Sequence, residues 1–361
     1  MTGTSGDGLD LALIKIGPDN GIKFVASTAI EFPKALRKRL MQLSTPSENE
    51  IEIMGECDTE LGEFTGNAIA TFLSKTPIKK QQIKAIGSHG QTIRHRPPSL
   101  TNQLPFTLQI GNPHLIAEIT GITTVADFRR RDIALGGQGA PLVPPFHKIL
   151  FKDTSARPLI LNIGGISNIT VIGEPLLGFD TGPGNCLMDA WILQTKGEFL
   201  DLGGRWASSG AHDHELLNQL MSDPYYNISP PKSTGREYFN LNWLNTRCPN
   251  LNKIRHVDIQ ATLCLLTVET IIQAIQKLNY FATEILVCGG GRHNSHLMDS
   301  LKQKADCPVK TTEHYSINGD YIEAAAFAWL ASRNLSGLNG NSSSVTGAKS
   351  EKIMGTIFPA A

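Results

Sequence analysis

Short apolar runs that stop at glycine turns recur along this chain, and segments of helical length follow them. Residues 159–163 run into Gly164-Gly165, and residues 285–288 run into Gly289-Gly290-Gly291. Residues 177–179 deliver one carboxylate, Asp180, into Thr181-Gly182-Pro183-Gly184-Asn185. Strands that alternate with helices demand a mixed or parallel sheet under helical cover, an α/β fold. Glycine at strand ends lets backbone approach a ligand or take positive φ, and proline fixes the turn.

The same grammar extends to both halves. Residues 9–16 and 22–32 read as strands joined by Gly17-Pro18-Asp19-Asn20-Gly21, a strong turn signal. Helices are expected near 34–43 and 50–74, then a strand at 83–87. Asn112-Pro113 opens a further helix that Gly121 closes, the expected cap residues at each end. A strand at 122–126 enters the charged segment Asp127-Phe128-Arg129-Arg130-Arg131-Asp132. In the second half, strands at 159–163 and 169–172 flank a turn, and helices are expected near 186–196, 213–222, 259–278, 294–304 and 322–334. A polar loop is expected at 337–344. At 361 residues the chain exceeds the usual size of one core, so two domains are expected, 1–126 and 127–361.

Composition narrows the function classes. The 33 basic and 33 acidic side chains cancel, which argues against a general nucleic-acid or anionic-membrane binder. No run of 18 apolar residues occurs, and 259–278 is interrupted by Glu269, Gln273, Gln276 and Lys277, so it reads as a core helix. The six cysteines show no C-x-x-C pair. With no basic segment and apolar stretch at the N-terminus, the expected location is the cytoplasm, with reduced thiols.

The candidate sites follow from the turns. Asp180 is open to two readings: a general base beside a bound anion, or a cap for the helix after it. Gly3-Thr4-Ser5-Gly6-Asp7-Gly8-Leu9-Asp10 is a glycine-rich turn with hydroxyls and carboxylates. Small residues and bare N–H groups suit phosphate oxygens, and Asp7 or Asp10 suits Mg²⁺ held through water. No Walker-type or dinucleotide fingerprint is present. Several glycine turns at strand ends in one chain point to a nucleotide cleft between two domains. His89, among small residues after a strand, suits either a polar substrate or a structural role. One arginine of 129–131 suits bidentate binding of an anion. His212, His214, His293 and His296 lack the partners of a metal site. Phe179-Asp180-Thr181-Gly182 also matches the aspartic-protease run, but that chemistry needs two such carboxylates and this chain has one copy.

Taken in order, GTSGDGLD (3–10), GSHGQTI (87–93), ADFRRRDIALGGQGAPLVP (126–144), LNIGGISNIT (161–170), GFDTGPGN (178–185), CGGG (288–291), EAAAFAWLA (323–331) and VTGA (345–348) resemble the anhydro-N-acetylmuramic acid kinase family. The family lies in the sugar kinase/Hsp70/actin superfamily. The resemblance implies two actin-like (ribonuclease H-like) domains around a nucleotide cleft, with the helix near 322–334 returning toward the hinge. It implies an enzyme that uses ATP, Mg²⁺ and one water to open the 1,6-anhydro ring of anhydro-N-acetylmuramic acid, giving the 6-phosphate in peptidoglycan recycling. Asp180 matches the general base. Gly3, Thr4, Ser5, Gly6, Asp7, Gly8, Leu9 and Asp10, with Gly164 and Gly165, match turns that hold ATP phosphates, and Asp7 the metal position. Gly289, Gly290 and Gly291 match the adenosine side. His89, Arg129, Asn185 and Glu323 match the sugar and phosphoryl pocket. A cytoplasmic homodimer without nucleic-acid or membrane partners is implied. Family members carry an apolar strand before the first glycine turn and a bulky residue where Gly6 stands. Here Met1-Thr2 begins inside the turn, so the first strand of the N-terminal sheet is expected to be missing. Two alternatives stay open: a catalytically weakened nucleotide- or sugar-binding member, and a kinase for another amino sugar.

Overall fold

The computed structural model describes residues 1–3, 8–44, 46–98, 104–152, 154 and 157–360. The chain forms two compact units, Met1–Asp153 with Tyr321–Ala361, and Thr154–Asp320. Each is an α/β assembly.

The second unit is built on Pro158–Ile163, every residue of which is buried. A run apolar on both faces can only be an inner strand, since each fully buried Leu or Ile contributes about 1.5–3 kcal/mol over exposure. It pairs parallel with Glu284–Cys288 and antiparallel with Ile166–Val171. Leu177–Pro183 and Val309–Thr311 complete a five-stranded sheet among the described residues. The helix His256–Gln276 packs on Leu177–Pro183 and on the helices Cys186–Lys196, His214–Met221 and Ser295–Lys304. It has the length and apolar content of a membrane span, yet 78% of its most apolar stretch is buried. It is a core helix, as the interrupting polar residues indicated.

In the first unit the strands Gly8–Ile16 and Ile22–Glu31 form an antiparallel pair. Met1 and Asp10 exchange two backbone hydrogen bonds of 2.8 Å. Thr124–Ala126 pairs parallel with Ile86–Gly87 and antiparallel with Thr356–Phe358. A hairpin, Gln91–Arg96 with Phe106–Ile110, was not anticipated from the sequence. Asn112 caps the helix Pro113–Thr120 by accepting from the amides of His114 and Leu115, and Gly121 ends it in the left-handed region, as expected. The helix Ile322–Leu335 lies so close to Ile86–Gly87 that a Cβ on Gly87 would stand 2.0 Å from the Phe327 carbonyl oxygen.

From sequence a division is expected near 127. The compact units part at Asp153/Thr154 instead, because residues 127–152 fold onto the first unit. Phe128 packs on Phe327 with centroids 5.3 Å apart, and Phe146 on Trp329 at 5.9 Å. Asp132, wholly buried, accepts from the Gly139 amide, the Asn341 side chain and the Thr346 hydroxyl, each at 2.8 Å. One carboxylate thus ties the turn 136–141 to the C-terminal segment.

Removing Asp132 takes its short hydrogen bonds from three buried donors at once, leaving the Thr346 hydroxyl only the longer contact with the Ser342 carbonyl and the Asn341 side-chain amide that with the Ser350 carbonyl. Asp132→Ala is expected to cost roughly 3–5 kcal/mol, read as a lower urea midpoint at unchanged slope. A loss below about 1 kcal/mol would show that the tie is dispensable.

Candidate active site

In the second unit, the turn Gly164-Gly165 and the segment 184–186 are laced together by backbone. The amides of Gly184 and Cys186 donate to the Gly165 carbonyl at 2.9 and 3.0 Å, and that of Asn185 to Gly164 at 2.8 Å. A Cβ on Gly184 would stand 2.3 Å from the Gly164 oxygen, so only glycine permits this approach. Asp180 lies three residues short of the strand's end, opposite Asn168 in register. It does not cap the following helix, whose cap position is Asn185. The capping reading of Asp180 therefore falls.

Asp180 is 6% exposed. Its carboxylate accepts the Thr234 amide at 2.9 Å, and its carbonyl accepts the Tyr225 hydroxyl at 2.9 Å. The Asp180 amide donates to the Lys232 carbonyl at 3.4 Å. Tyr225, Lys232 and Thr234 were not singled out from the sequence. The only signal there is a Pro-Pro-Lys-Ser-Thr-Gly run between two helices, which reads as an ordinary loop.

Gly289-Gly290-Gly291 follows the strand Glu284–Cys288. Gly289 has φ 78°, and a Cβ there would stand 2.3 Å from the Asn162 side-chain oxygen. A Cβ on Gly290 would meet nothing within 4 Å, so that residue offers bare backbone on its open side. Both glycine turns leave the carboxyl ends of neighbouring parallel strands, Pro158–Ile163 and Glu284–Cys288. Open α/β sheets place ligands at such ends. Arg292 is engaged by Asp320 and Glu313. Neither His293 nor His296 joins a cluster: among the described residues no group of three His, Cys, Asp or Glu converges as a metal site.

In the first unit, the parallel pairing of Ile86–Gly87 with Thr124–Ala126 brings His89 and Arg129 together. Arg129 donates from Nε to His89 Nε2 at 3.0 Å and from Nη1 to the Gly139 carbonyl at 2.7 Å. His89 Nδ1 lies 2.7 Å from the Gly90 carbonyl. These partners assign the proton to Nδ1, so the ring is neutral and both nitrogens are engaged by protein groups. Burial, then the Arg129 charge, holds His89 well below the ordinary histidine range. Its ring lies on Phe327, centroids 4.6 Å apart. Glu323, half-buried in the first turn of Ile322–Leu335, is pushed up by desolvation, against the pull of Arg129 and the terminal ammonium. Arg130 pairs with Asp127, and Arg131 bonds the Ile353 carbonyl; Arg129 is the member of the trio that meets His89.

Of the N-terminal turn, Thr4, Ser5, Gly6 and Asp7 lie outside the described residues. Gly3 accepts from the Gln91 side chain at 3.4 Å. Gly8 lies against the Ile30 carbonyl, Leu9 is a core side chain at 2% exposure, and Asp10 pairs with Met1.

Three buried neutral histidines make stability pH-dependent. His95 and His147 are both depressed to about 3 by burial, and His89 is well below 6.5. Below 6.5 the unfolded chain takes up protons that the native state refuses, so stability falls as pH drops from there toward 3. Each histidine contributes up to about 1.4 kcal/mol per pH unit. Urea unfolding between pH 7.5 and 5 is expected to show this slope, and His147→Phe to reduce it. A midpoint that is flat across this range would contradict it.

The model of the family described as anhydro-N-acetylmuramic acid kinase matches residues 1–360. The anhydro-N-acetylmuramic acid kinase of Coxiella burnetii (strain Dugway 5J108-111) is 49% identical over 365 residues, covering 99% of this chain and 96% of its own length. The enzyme of the same name from Pseudomonas fluorescens (strain Pf0-1) is 46% identical, covering 99% and 98%. Among solved structures, component A of the (R)-2-hydroxyglutaryl-CoA dehydratase of Acidaminococcus fermentans aligns with 90% of this chain and 99% of its own. Its TM-score of 0.41 at 11% identity is too loose a likeness to carry a functional argument. Match length and identity together place the chain in one family: it belongs to the anhydro-N-acetylmuramic acid kinases.

Proposed function

We propose that this chain is an ATP-dependent sugar kinase that opens the 1,6-anhydro ring of anhydro-N-acetylmuramic acid and phosphorylates O6. The observation that carries the reading is Asp180, a nearly buried carboxylate aimed by a backbone amide, in a chain matched end to end by this family.

Asp180 takes a proton from the water that attacks C1. The new C1–O bond forms as C1–O6 breaks, and O6 attacks the γ-phosphorus while ADP leaves. The products are N-acetylmuramic acid 6-phosphate and ADP, and the proton on Asp180 passes to solvent. A positioned base contributes about 10²–10⁴-fold, and charge stabilisation on the phosphoryl group supplies much of the rest. Gly164, Gly165 and Gly289–Gly291, with the N-terminal turn, are the nucleotide-binding backbone of this reading. Arg129, aimed by His89, together with Asn185 and Glu323, serves the sugar and phosphoryl group.

Mg²⁺ belongs to the same reading, as do a homodimeric state and a cytoplasmic location. In that reading the metal is carried largely on nucleotide phosphates and water, with Asp7 the sequence candidate for a protein contact. When bound, it neutralises phosphoryl charge.

Incubation with ATP, Mg²⁺ and anhydro-N-acetylmuramic acid is expected to yield the 6-phosphate by mass, with matching ADP release. A folded protein that binds both ligands and releases no ADP would favour the weakened-member alternative. Strong turnover on another amino sugar alone would favour the other. Asp180→Asn is expected to keep ATP affinity and lose about 10²–10⁴-fold in kcat; near-wild-type turnover would remove Asp180 as the base.

A further inference from the structure

Lys232 is only 6% exposed, and lysine is almost never that buried without a partner. Its ammonium donates to the Tyr225 carbonyl at 3.1 Å. It also lies 4.5 Å from the Tyr225 ring centroid and 5.8 Å from that of Phe179, within the range of cation–π attraction. Phe179 is the residue immediately before Asp180.

The loop that Lys232 closes meets Asp180 at three atoms. Tyr225 donates its hydroxyl to the Asp180 carbonyl, Lys232 accepts the Asp180 amide, and Thr234 donates its amide to the carboxylate. The far end of the loop is anchored on Asp223, which is wholly buried. Asp223 accepts from the Tyr225 amide, the Tyr238 hydroxyl, the Trp243 indole and Arg247. Between anchor and carboxylate, the Lys232 side chain joins residue 232 back to residue 225, whose carbonyl also accepts the Ile228 amide at 3.1 Å.

We propose that Lys232 is a positioning residue for Asp180. Its ammonium clips residues 225–234 into the loop that carries the Thr234 amide onto the carboxylate, and its positive charge favours the ionised form of that carboxylate. The proposal rests on Asp180 being the base. Catalytic geometry tolerates about 0.5 Å of error, and a misplacement of about 1 Å costs roughly 10²-fold.

The charges around the loop define the pH behaviour. On the strand is Asp180, whose charge draws on the Lys232 ammonium, and on the turn is Tyr225, against whose ring and carbonyl it lies. Lys277, at the end of His256–Gln276, donates to the Tyr226 carbonyl and the Asn227 side chain. Tyr238 and Asp223 stand behind Tyr225. Burial first, then repulsion from Lys277, lowers the Lys232 ammonium to about 8, against the pull of Asp180. At neutral pH it is a cation, and that charge favours the ionised carboxylate.

The test is a set of pH–rate profiles for wild type, Lys232→Met and Lys232→Arg, with ATP affinity measured by calorimetry. Lys232→Met is expected to lower kcat about 10–100-fold and to move the acid limb of kcat/KM up by about one pH unit, with ATP affinity unchanged. Lys232→Arg is expected to return the limb to its original position. Lys232→Gln keeps a donor for the Tyr225 carbonyl without the charge; it takes the place of the Met variant if that one does not fold, and the same shift is expected. An acid limb that stays in place in the uncharged variant overturns the proposal while Asp180→Asn is inactive. An active Asp180→Asn instead brings down the base assignment, and this proposal with it.

Discussion

The backbone of Pro158–Ile163 is the member on which the second unit depends. It is paired on both edges and buried on both faces, so a slip would break two ladders at once and disturb packing on both sides. That rigidity fixes two further things. It sets where the turn Gly164-Gly165 ends, and so where segment 184–186 is laced to it. It also sets the wall against which Gly289 and Gly291 press, where a Cβ would collide with Asn162 or Ile163. The glycines are required by a strand that does not move, and the strand stays put because its whole surface is used.

Much of this was legible in the sequence. The apolar runs, caps and glycine turns gave three of the second-unit strands and its long helices within a few residues, since local chemistry and tertiary packing agree there; Val309–Thr311 was not expected, and Leu177–Pro183 continues as a strand through what looked like a turn after Asp180. The hairpin Gln91–Arg96 with Phe106–Ile110 escaped notice because Arg94, His95 and Arg96 hide the alternation in which Ile93 and His95 are buried. The division of the chain was misplaced for a related reason. The segment 127–152 looks like a fresh start after a strand, and only Asp132, Phe128 and Phe146 reveal that it packs backward.

At the site, legibility stopped where residue type no longer distinguishes neighbours. Arg129, Arg130 and Arg131 are chemically identical, but successive residues near a helix start point roughly 100° apart, so one meets His89 and the others do not. Lys232 is harder still. Nothing in Pro-Pro-Lys-Ser-Thr-Gly announces burial; that comes from Tyr225 and Phe179, one flanking the loop and the other on a different element. Asp180 was found because glycine and proline surround it, while the groups that aim it lie in a stretch that reads as solvent-facing.

The first unit is discontinuous: its chain leaves at Asp153 and comes back at Tyr321. The helix against Gly87, the partners of Asp132 at Asn341 and Thr346, and the strand Thr356–Phe358 that pairs with Thr124–Ala126 all arrive after the return. On a ribosome, where chains emerge at about 5–20 residues per second, the second unit is complete in sequence before its host is. The early half of the first unit must therefore wait, with the Thr124–Ala126 edge unpaired and the Asp132 carboxylate short of two donors, until the last forty or so residues are made.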